Sequence, residues 1–305
     1  MATLSQLHIG SAPAGPRVLH HSAFPPRRIA AERTATVSLC LPARNEVATI
    51  GTILRCLIPL LKLRAVDEIV VVDDSTDGTA DIAHQLGAQV YRQSDLRPEY
   101  GPVRGKGDAM WRALSVLRGD VVCFLDADSE RFGSHFACGL IGALTCEPGI
   151  QFAKGFYRRP FRLDVGVEMP EGGGRVTELM ARPLLNRFYP ELSGFLQPLA
   201  GEIAARRDLL RSLPFVTGYG VDIALLIDVW RRVGVSGLAQ VDLEVRQNRH
   251  QALRDLVPMA EAVLAAVLHR MAREGRLSVE DPSGVLAQLA GAAERPPADA
   301  IAHAP

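Results

Sequence analysis

The sequence carries no net charge: 34 Lys and Arg balance 34 Asp and Glu over 305 residues. That balance argues against a protein whose main affinity is for nucleic acid or an anionic membrane, because both need a net basic surface. No run approaches the ~18 consecutive apolar residues of a membrane helix. The apolar stretches near Ala137–Cys146 and Ala262–Leu268 are interrupted or too short. The first residues hold no continuous apolar segment, so they do not read as a signal peptide. Cysteine is scarce, and Cys40, Cys56, Cys123, Cys138 and Cys146 form an odd set without C-x-x-C spacing. Cys40 and Cys123 sit inside apolar runs, which reads as buried free thiols in a reducing cytoplasm. Asp and Glu are absent from residues 1–31, where hydrophobic period is also missing, so residues 1–34 read as a flexible N-terminal arm. There is no G-x-S-x-G, no H-E-x-x-H and no dinucleotide-binding G-x-G-x-x-G after the first strand. Serine hydrolases, zinc proteases and typical NAD enzymes are therefore disfavoured.

What is present is ordinary globular composition, 48% hydrophobic and 22% charged, enough apolar surface for a core. The length allows one large domain or two small ones. Strand, loop and helix alternate over the first 125 residues. Thr36–Leu41, Glu68–Val72, Ala88–Tyr91 and Asp120–Leu125 read as strands, with helical spacing over Val47–Leu63, from Thr76 or Asp77 to Leu86, and over Lys106–Arg118. The strands are nearly all apolar rather than alternating, the signature of an α/β fold with a mostly parallel sheet covered by helices on both faces. Further on, Gln151–Tyr157 and Gln240–Val245 read as strands. Thr177–Arg187, Asp222–Val233 and Leu253–Arg273 read as helical, the last at least after Pro258. Residues 281–305 are rich in Ala and Pro and read as a mobile tail.

In such sheets ligands bind outside the C-terminal strand ends, where three polar clusters fall: Arg44-Asn45-Glu46, Asp73-Asp74 and Asp126-Ala127-Asp128. Two carboxylates two residues apart at a strand end can both reach one divalent cation. Mg²⁺ and Mn²⁺ prefer such oxygen ligands and share them with substrate phosphates. The run Gly101–Gly107 holds Arg104 and Lys106 and opens a helix, which suits a diphosphate, although it also reads as a plain glycine-rich loop. Its spacing differs from the G-x-x-x-x-G-K-[ST] phosphate loop. Gly172–Thr177 offers backbone N–H groups, the Arg175 guanidinium and a hydroxyl, a set that suits a carboxylate or phosphate on a small acceptor; Thr177 reads equally as a helix cap. Arg246–His250 is a dense polar cluster, and Asp222 lies either at a site or at a helix start.

LPARNE, VVVDDSTDGT, GKGDAMW and FLDAD together resemble the nucleotide-sugar glycosyltransferases of the GT-A fold. GGGRVTEL, PLAGEIAARRDLL and GYGVDIALLIDV narrow this to the retaining glucosyl-3-phosphoglycerate synthases, with the resemblance running from about Thr34 to Arg273. That resemblance implies a hexosyltransferase moving glucose from UDP-glucose to the 2-hydroxyl of 3-phosphoglycerate, with Mg²⁺ or Mn²⁺. It implies nucleotide-sugar contacts from Pro42, Ala43, Glu46, Asp74, Ser75, Lys106, Asp126 and Arg246. It implies acceptor contacts from Gly174, Arg175, Val176, Thr177, Tyr219 and His250. Asp128 would ligate the metal and act with Asp222 in catalysis. Two positions depart from the family pattern. Asn248 stands where a metal-ligating His is usual, so Asn248 or His250 would complete the metal site, and Asp222 stands where Glu is usual. Residues 35–150 would bind the nucleotide sugar, and 151–280 would bind the acceptor and mediate a homodimer. GDP-mannose as donor, a sugar-phosphate nucleotidyltransferase and a non-catalytic nucleotide-sugar sensor are the competing readings. A processive membrane polysaccharide synthase lacks support, with no membrane helix and no Q-x-x-R-W segment.

Overall fold

A computed structural model describes residues 15–159, 161–162, 168–169, 174–247, 252–278 and 281–301. Its strands are β1 (Arg17–His20), β2 (Val37–Ala43), β3 (Glu68–Asp73), β4 (Gln89–Arg92), β5 (Val121–Phe124) and β6 (Phe152–Arg158), then β7 (Phe161–Arg162), β8 (Glu168–Met169), β9 (Ile203–Arg206), β10 (Phe215–Val216), β11 (Leu238–Val245) and β12 (Glu294–Arg295). Its helices are α1 (Pro26–Glu32), α2 (Ile50–Lys62), α3 (Thr79–Gln85), α4 (Gly105–Ala113), α5 (His135–Thr145) and α6 (Arg182–Phe188), then α7 (Arg207–Arg211), α8 (Val221–Val233), α9 (Val257–Arg273), α10 (Pro282–Ala290) and α11 (Ala298–Ile301).

Eight strands form one sheet in the order β1-β11-β6-β9-β5-β2-β3-β4. Every pairing is parallel except those of β9, which runs antiparallel to β5 and β6. The apolar strands alternate between two cores. Cys40, Val70, Val72, Val122 and Phe124 pack with Met110, Trp111, Ile223 and Val263 of α4, α8 and α9. Leu39, Leu41, Ile69, Val71, Val121 and Cys123 pack with Ile29, Leu54, Leu57 and Leu140 of α1, α2 and α5. With both faces covered, either residue parity can be apolar, which explains the unbroken runs in the sequence. Pro42 is tolerated because β5 stops pairing with β2 at Cys40, so the ladder on that side has already ended.

Both expected mobile ends are corrected over the described residues. Residues 17–20 add β1 to the sheet edge beside β11, and Phe24 and Ile29 are fully buried. The C-terminal segment is tied down by charge: Arg295 Nε lies 2.6 Å from Asp108 Oδ1, and Trp111 Nε1 donates to the Pro296 carbonyl at 2.7 Å. These elements are only two to nine residues long, and elements so short owe their order to tertiary partners rather than to local period. The buried Asp108 also accepts from Arg112 Nε at 2.8 Å and the Arg104 N–H at 3.0 Å. The start of α4 is thereby fixed, with Lys106 upon it.

β9 and α5 went unread in the sequence. Because β9 is antiparallel, its N-terminal end lies beside the C-terminal ends of β5 and β6, and Gly201 and Glu202 are delivered to the same edge as Asp126. No helix among the described residues is long and apolar enough to cross a membrane.

Candidate active site

The loops after β2 and β3 are knitted to each other. The Asn45 N–H donates to Ser75 Oγ at 2.7 Å, the Thr76 N–H donates to Asn45 Oδ1 at 2.9 Å, and the Glu46 N–H donates to Thr79 Oγ1 at 2.9 Å. Asn45 adopts a left-handed φ of 58°, a conformation that Asn tolerates better than most residues. Thr49 Oγ1 donates to the Ala127 carbonyl at 2.6 Å, joining this pair of loops to the β5 end. Ser75 Oγ, expected against the nucleotide, accepts from the Asn45 N–H and braces this loop, and Ser75 is not among the residues lining the cavity.

Below the loops lies a cluster of carboxylates and cations. Lys106 Nζ is 2.7 Å from Asp126 Oδ1 and 3.5 Å from Asp222 Oδ2. Arg246, only 2% exposed, reaches Glu202 Oε1 at 2.6 Å, Asp126 Oδ2 at 2.9 Å and Asp128 Oδ1 at 2.6 Å. Its Nη1 also donates to Tyr157 Oη at 2.8 Å. One guanidinium thus fixes three acids from β5 and the start of β9, as its planar fork allows. Burial opposes the charge on Asp126, but Lys106 and Arg246 outweigh it and hold its carboxyl well below the usual range. Burial likewise opposes the Lys106 charge, and Asp126 and Asp222 overcome it, so its pKa rises. Asp222 goes the other way: burial raises it, and Lys106 and Lys154 offset that only in part. Burial also raises Glu202 and lowers Lys154 to about 8. Asp126 is therefore an anion locked between cations, whereas burial raises both Asp222 and Glu202.

These groups open into a cavity of about 540 Å³. Pro42, Ala43, Glu46, Asp74, Lys106, Asp126, Asp128 and Arg246 line it from the strand ends. Gly174, Arg175, Val176 and Thr177, Tyr219 and Asp222 line it from the later elements. Gly174, at φ +78°, leads into a π-helical turn over Thr177–Ala181, and such turns recur at functional sites. Asn248 and His250 lie outside the described residues. Arg44, from the first strand-end cluster, lines the cavity too; sequence reasoning missed Gln93 and Arg159, which also line it, together with the apolar wall of Leu256, Met259 and Val263. Met259 and Val263 lie four apart on α9, a spacing visible in the sequence, but nothing local said what that face covers. It also missed Gly201, where a Cβ would fall on Lys106 Nζ and within 2.5 Å of both Asp126 carboxylate oxygens.

Asp128 is the one sequence-predicted metal ligand among the described residues, with its side chain 47% exposed at the cavity. A single strand-end carboxylate completed by substrate phosphate oxygens is a donor set that Mg²⁺ and Mn²⁺ accept, so these residues fit such an ion.

A mostly parallel sheet whose C-terminal edge presents paired acids, a helix-borne lysine and a second, acceptor-sized wall has the architecture of a GT-A glycosyltransferase. Residues 38–133 match the glycosyl transferase family 2 domain. The glucosyl-3-phosphoglycerate synthase of Petrotoga mobilis is 43% identical over 270 residues, which cover 86% of this chain and 83% of that protein. That of Mycolicibacterium smegmatis is 46% identical over 242 residues, 79% of each. Among solved structures, the mannosyl-3-phosphoglycerate synthase of Rubrobacter xylanophilus aligns with TM-score 0.83 at 43% identity, over 94% of this chain and 99% of that one. The Mycobacterium tuberculosis glucosyl-3-phosphoglycerate synthase, in complex with Mn²⁺, UDP-glucose and phosphoglyceric acid, aligns with TM-score 0.79 at 38% identity over 94% and 99%. The chain belongs to the glucosyl-3-phosphoglycerate synthase family.

Proposed function

We propose that this chain transfers glucose from UDP-glucose to the 2-hydroxyl of 3-phosphoglycerate with retention of configuration. The observation that carries this reading is that one continuous cavity is lined both by donor-set residues at the ends of β2, β3 and β5, all but Ser75, and by Gly174–Thr177 of the acceptor set. Asp74 and the Pro42–Glu46 loop hold the nucleoside. Arg175, Thr177 and the backbone at Gly174 hold the phosphate and carboxylate of the acceptor, the anions that a guanidinium and free N–H groups recognise best.

Asp128, with Asn248 or His250, would hold Mn²⁺ or Mg²⁺, which would supply charge neutralisation for the departing diphosphate. Lys106 adds a fixed positive charge beside Asp126 in a water-poor pocket, where such charges act most strongly. Asp222 Oδ1 is buried without a hydrogen-bond partner among the described residues, which suits it to accept from a sugar hydroxyl. Asp222 thereby orients the donor beside the acceptor, and proximity supplies much of the rate. No side chain is assigned as nucleophile; the acceptor hydroxyl attacks on the face the diphosphate leaves, and a diphosphate oxygen takes its proton.

All five cysteines are free, in keeping with a cytoplasmic enzyme. Leu253, in the 3₁₀ turn before α9, and Val257, at its first residue, are 63% and 53% exposed, and are the surface we assign to a homodimer contact. The similarity to the Rubrobacter protein makes mannosyl transfer the second reading. Mass analysis of products from UDP-glucose and GDP-mannose, each with 3-phosphoglycerate and Mn²⁺, separates the two. The proposal expects hexosyl-phosphoglycerate from UDP-glucose in large excess, and preferential use of GDP-mannose would overturn it.

A further inference from the structure

We propose that His20, His21 and Glu244 form a second divalent-metal site, suited to Zn²⁺, on the outer edge of the sheet. It is independent of the reaction proposed above, and none of the three residues lines the catalytic cavity.

The site arises from two chain ends meeting. β1 finishes at His20 and the chain turns at once into a single 3₁₀ turn over His21–Ala23, so two adjacent imidazoles sit at the strand terminus. β1 pairs in parallel with β11, with His20 opposite Asp242. The register of β11 then breaks between Asp242 and Val245. Glu244 takes φ 67° there, and its N–H donates to Asp242 Oδ1 at 2.8 Å. Glu244 Oε1 is thereby brought 3.0 Å from His21 Nε2. One ligand atom from each of His20, His21 and Glu244 lies within 4.8 Å of the other two.

Two imidazoles and one carboxylate are a donor set of catalytic and surface zinc sites, with a fourth position left to water. Ligands at about 2.0–2.1 Å in a tetrahedral site stand about 3.3 Å apart, so the His21–Glu244 pair already has that spacing and His20 needs a small side-chain rotation. The surroundings orient the rings, as outer partners of metal ligands do. His20 Nδ1 lies 2.7 Å from Ser22 Oγ. The His135 ring packs 4.6 Å from that of His21, with its Nε2 3.3 Å from the Leu243 carbonyl oxygen. A bound ion would tie the edge strand β1 to the β11 bulge two residues before Arg246, the residue that gathers the catalytic acids.

The test uses the full chain, stripped with chelator and carrying Asp128→Asn so that the catalytic metal site loses its carboxylate ligand. Co²⁺ is added as a spectroscopic probe and Zn²⁺ by calorimetry. The proposal expects one equivalent bound, a low-coordinate Co²⁺ spectrum that Zn²⁺ displaces, and a rise in melting temperature with Zn²⁺. His20→Gln and Glu244→Gln, both at exposed positions, each weaken binding at least tenfold while circular dichroism stays unchanged. Absence of binding in the Asp128→Asn protein, or binding that survives both His20→Gln and Glu244→Gln, would overturn it.

Discussion

Replacing Arg246 by Met removes the cation that three acids share. The acids do not lose equally. Asp126 keeps Lys106 at 2.7 Å, and Asp128 is 47% exposed and keeps water. Glu202, whose side chain is 1% exposed, is left with the Tyr157 hydroxyl at 2.8 Å. Removing one partner of a buried ion pair costs about 3–5 kcal/mol, because the other charge stays buried and uncompensated. We expect a loss of that size in urea unfolding at pH 7, read as a shifted midpoint at constant slope. Glu202→Gln in the Arg246→Met background should recover about 1–3 kcal/mol, since the amide carries no charge to strand. The pH dependence follows from linkage. Burial already raises Glu202 in the native protein, and loss of Arg246 raises it further. A carboxyl raised in the folded state stabilises below its unfolded pKa and loses that contribution as pH rises through the folded value. The deficit of Arg246→Met should therefore shrink as pH falls toward 4.5, the ordinary Glu value. A deficit below about 1 kcal/mol at pH 7, or one untouched by Glu202→Gln, would refute the assignment of Arg246 as the hub of the site.

Lys154, buried with Nζ 2.6 Å from the Ala200 carbonyl oxygen, has its pKa lowered by burial from 10.5 to about 8. Between those values the unfolded chain holds a proton that the native lysine has lost, so stability rises with pH by about 3 kcal/mol across the window. Lys154→Met should flatten that rise in urea midpoints taken from pH 7 to 10.5, and an unchanged slope would count against it. Gly201→Ala should cut the rate of UDP release by about 100-fold with little loss of fold, because a displacement near 1 Å at Lys106 and Asp126 misaligns the donor. Wild-type rates would show that the pair can shift freely. Arg64 follows α2 at φ 57°, with its N–H on the Leu61 carbonyl, a helix end that favours glycine. Arg64→Gly should stabilise by about 1 kcal/mol in the same urea assay, whereas destabilisation would mean its side chain contributes more than its backbone costs.

The strand-end motifs were legible because a parallel sheet buried on both faces writes its strands as unbroken apolar runs. Whatever polar cluster follows such a run must lie at the C-terminal edge. That logic located Glu46, Asp74, Asp126 and Asp128 from sequence alone. It failed at β9, four residues long, whose reversed direction has no local signature and which brings Gly201 and Glu202 to the acids. It also failed at both chain ends, where β1, β12 and α11 gain order from distant partners such as Asp108. Ser75 shows a subtler limit. Its position beside Asp74 was readable, but only the left-handed turn at Asn45 reveals that its hydroxyl also braces the neighbouring loop.

The most direct test of the account is UDP release from UDP-glucose and Mn²⁺, measured with and without 3-phosphoglycerate. A single cavity that seats donor and acceptor together predicts rapid release only when the acceptor is present, lost in Asp128→Asn. Release that ignores the acceptor, or none with donor binding confirmed by calorimetry, would contradict it.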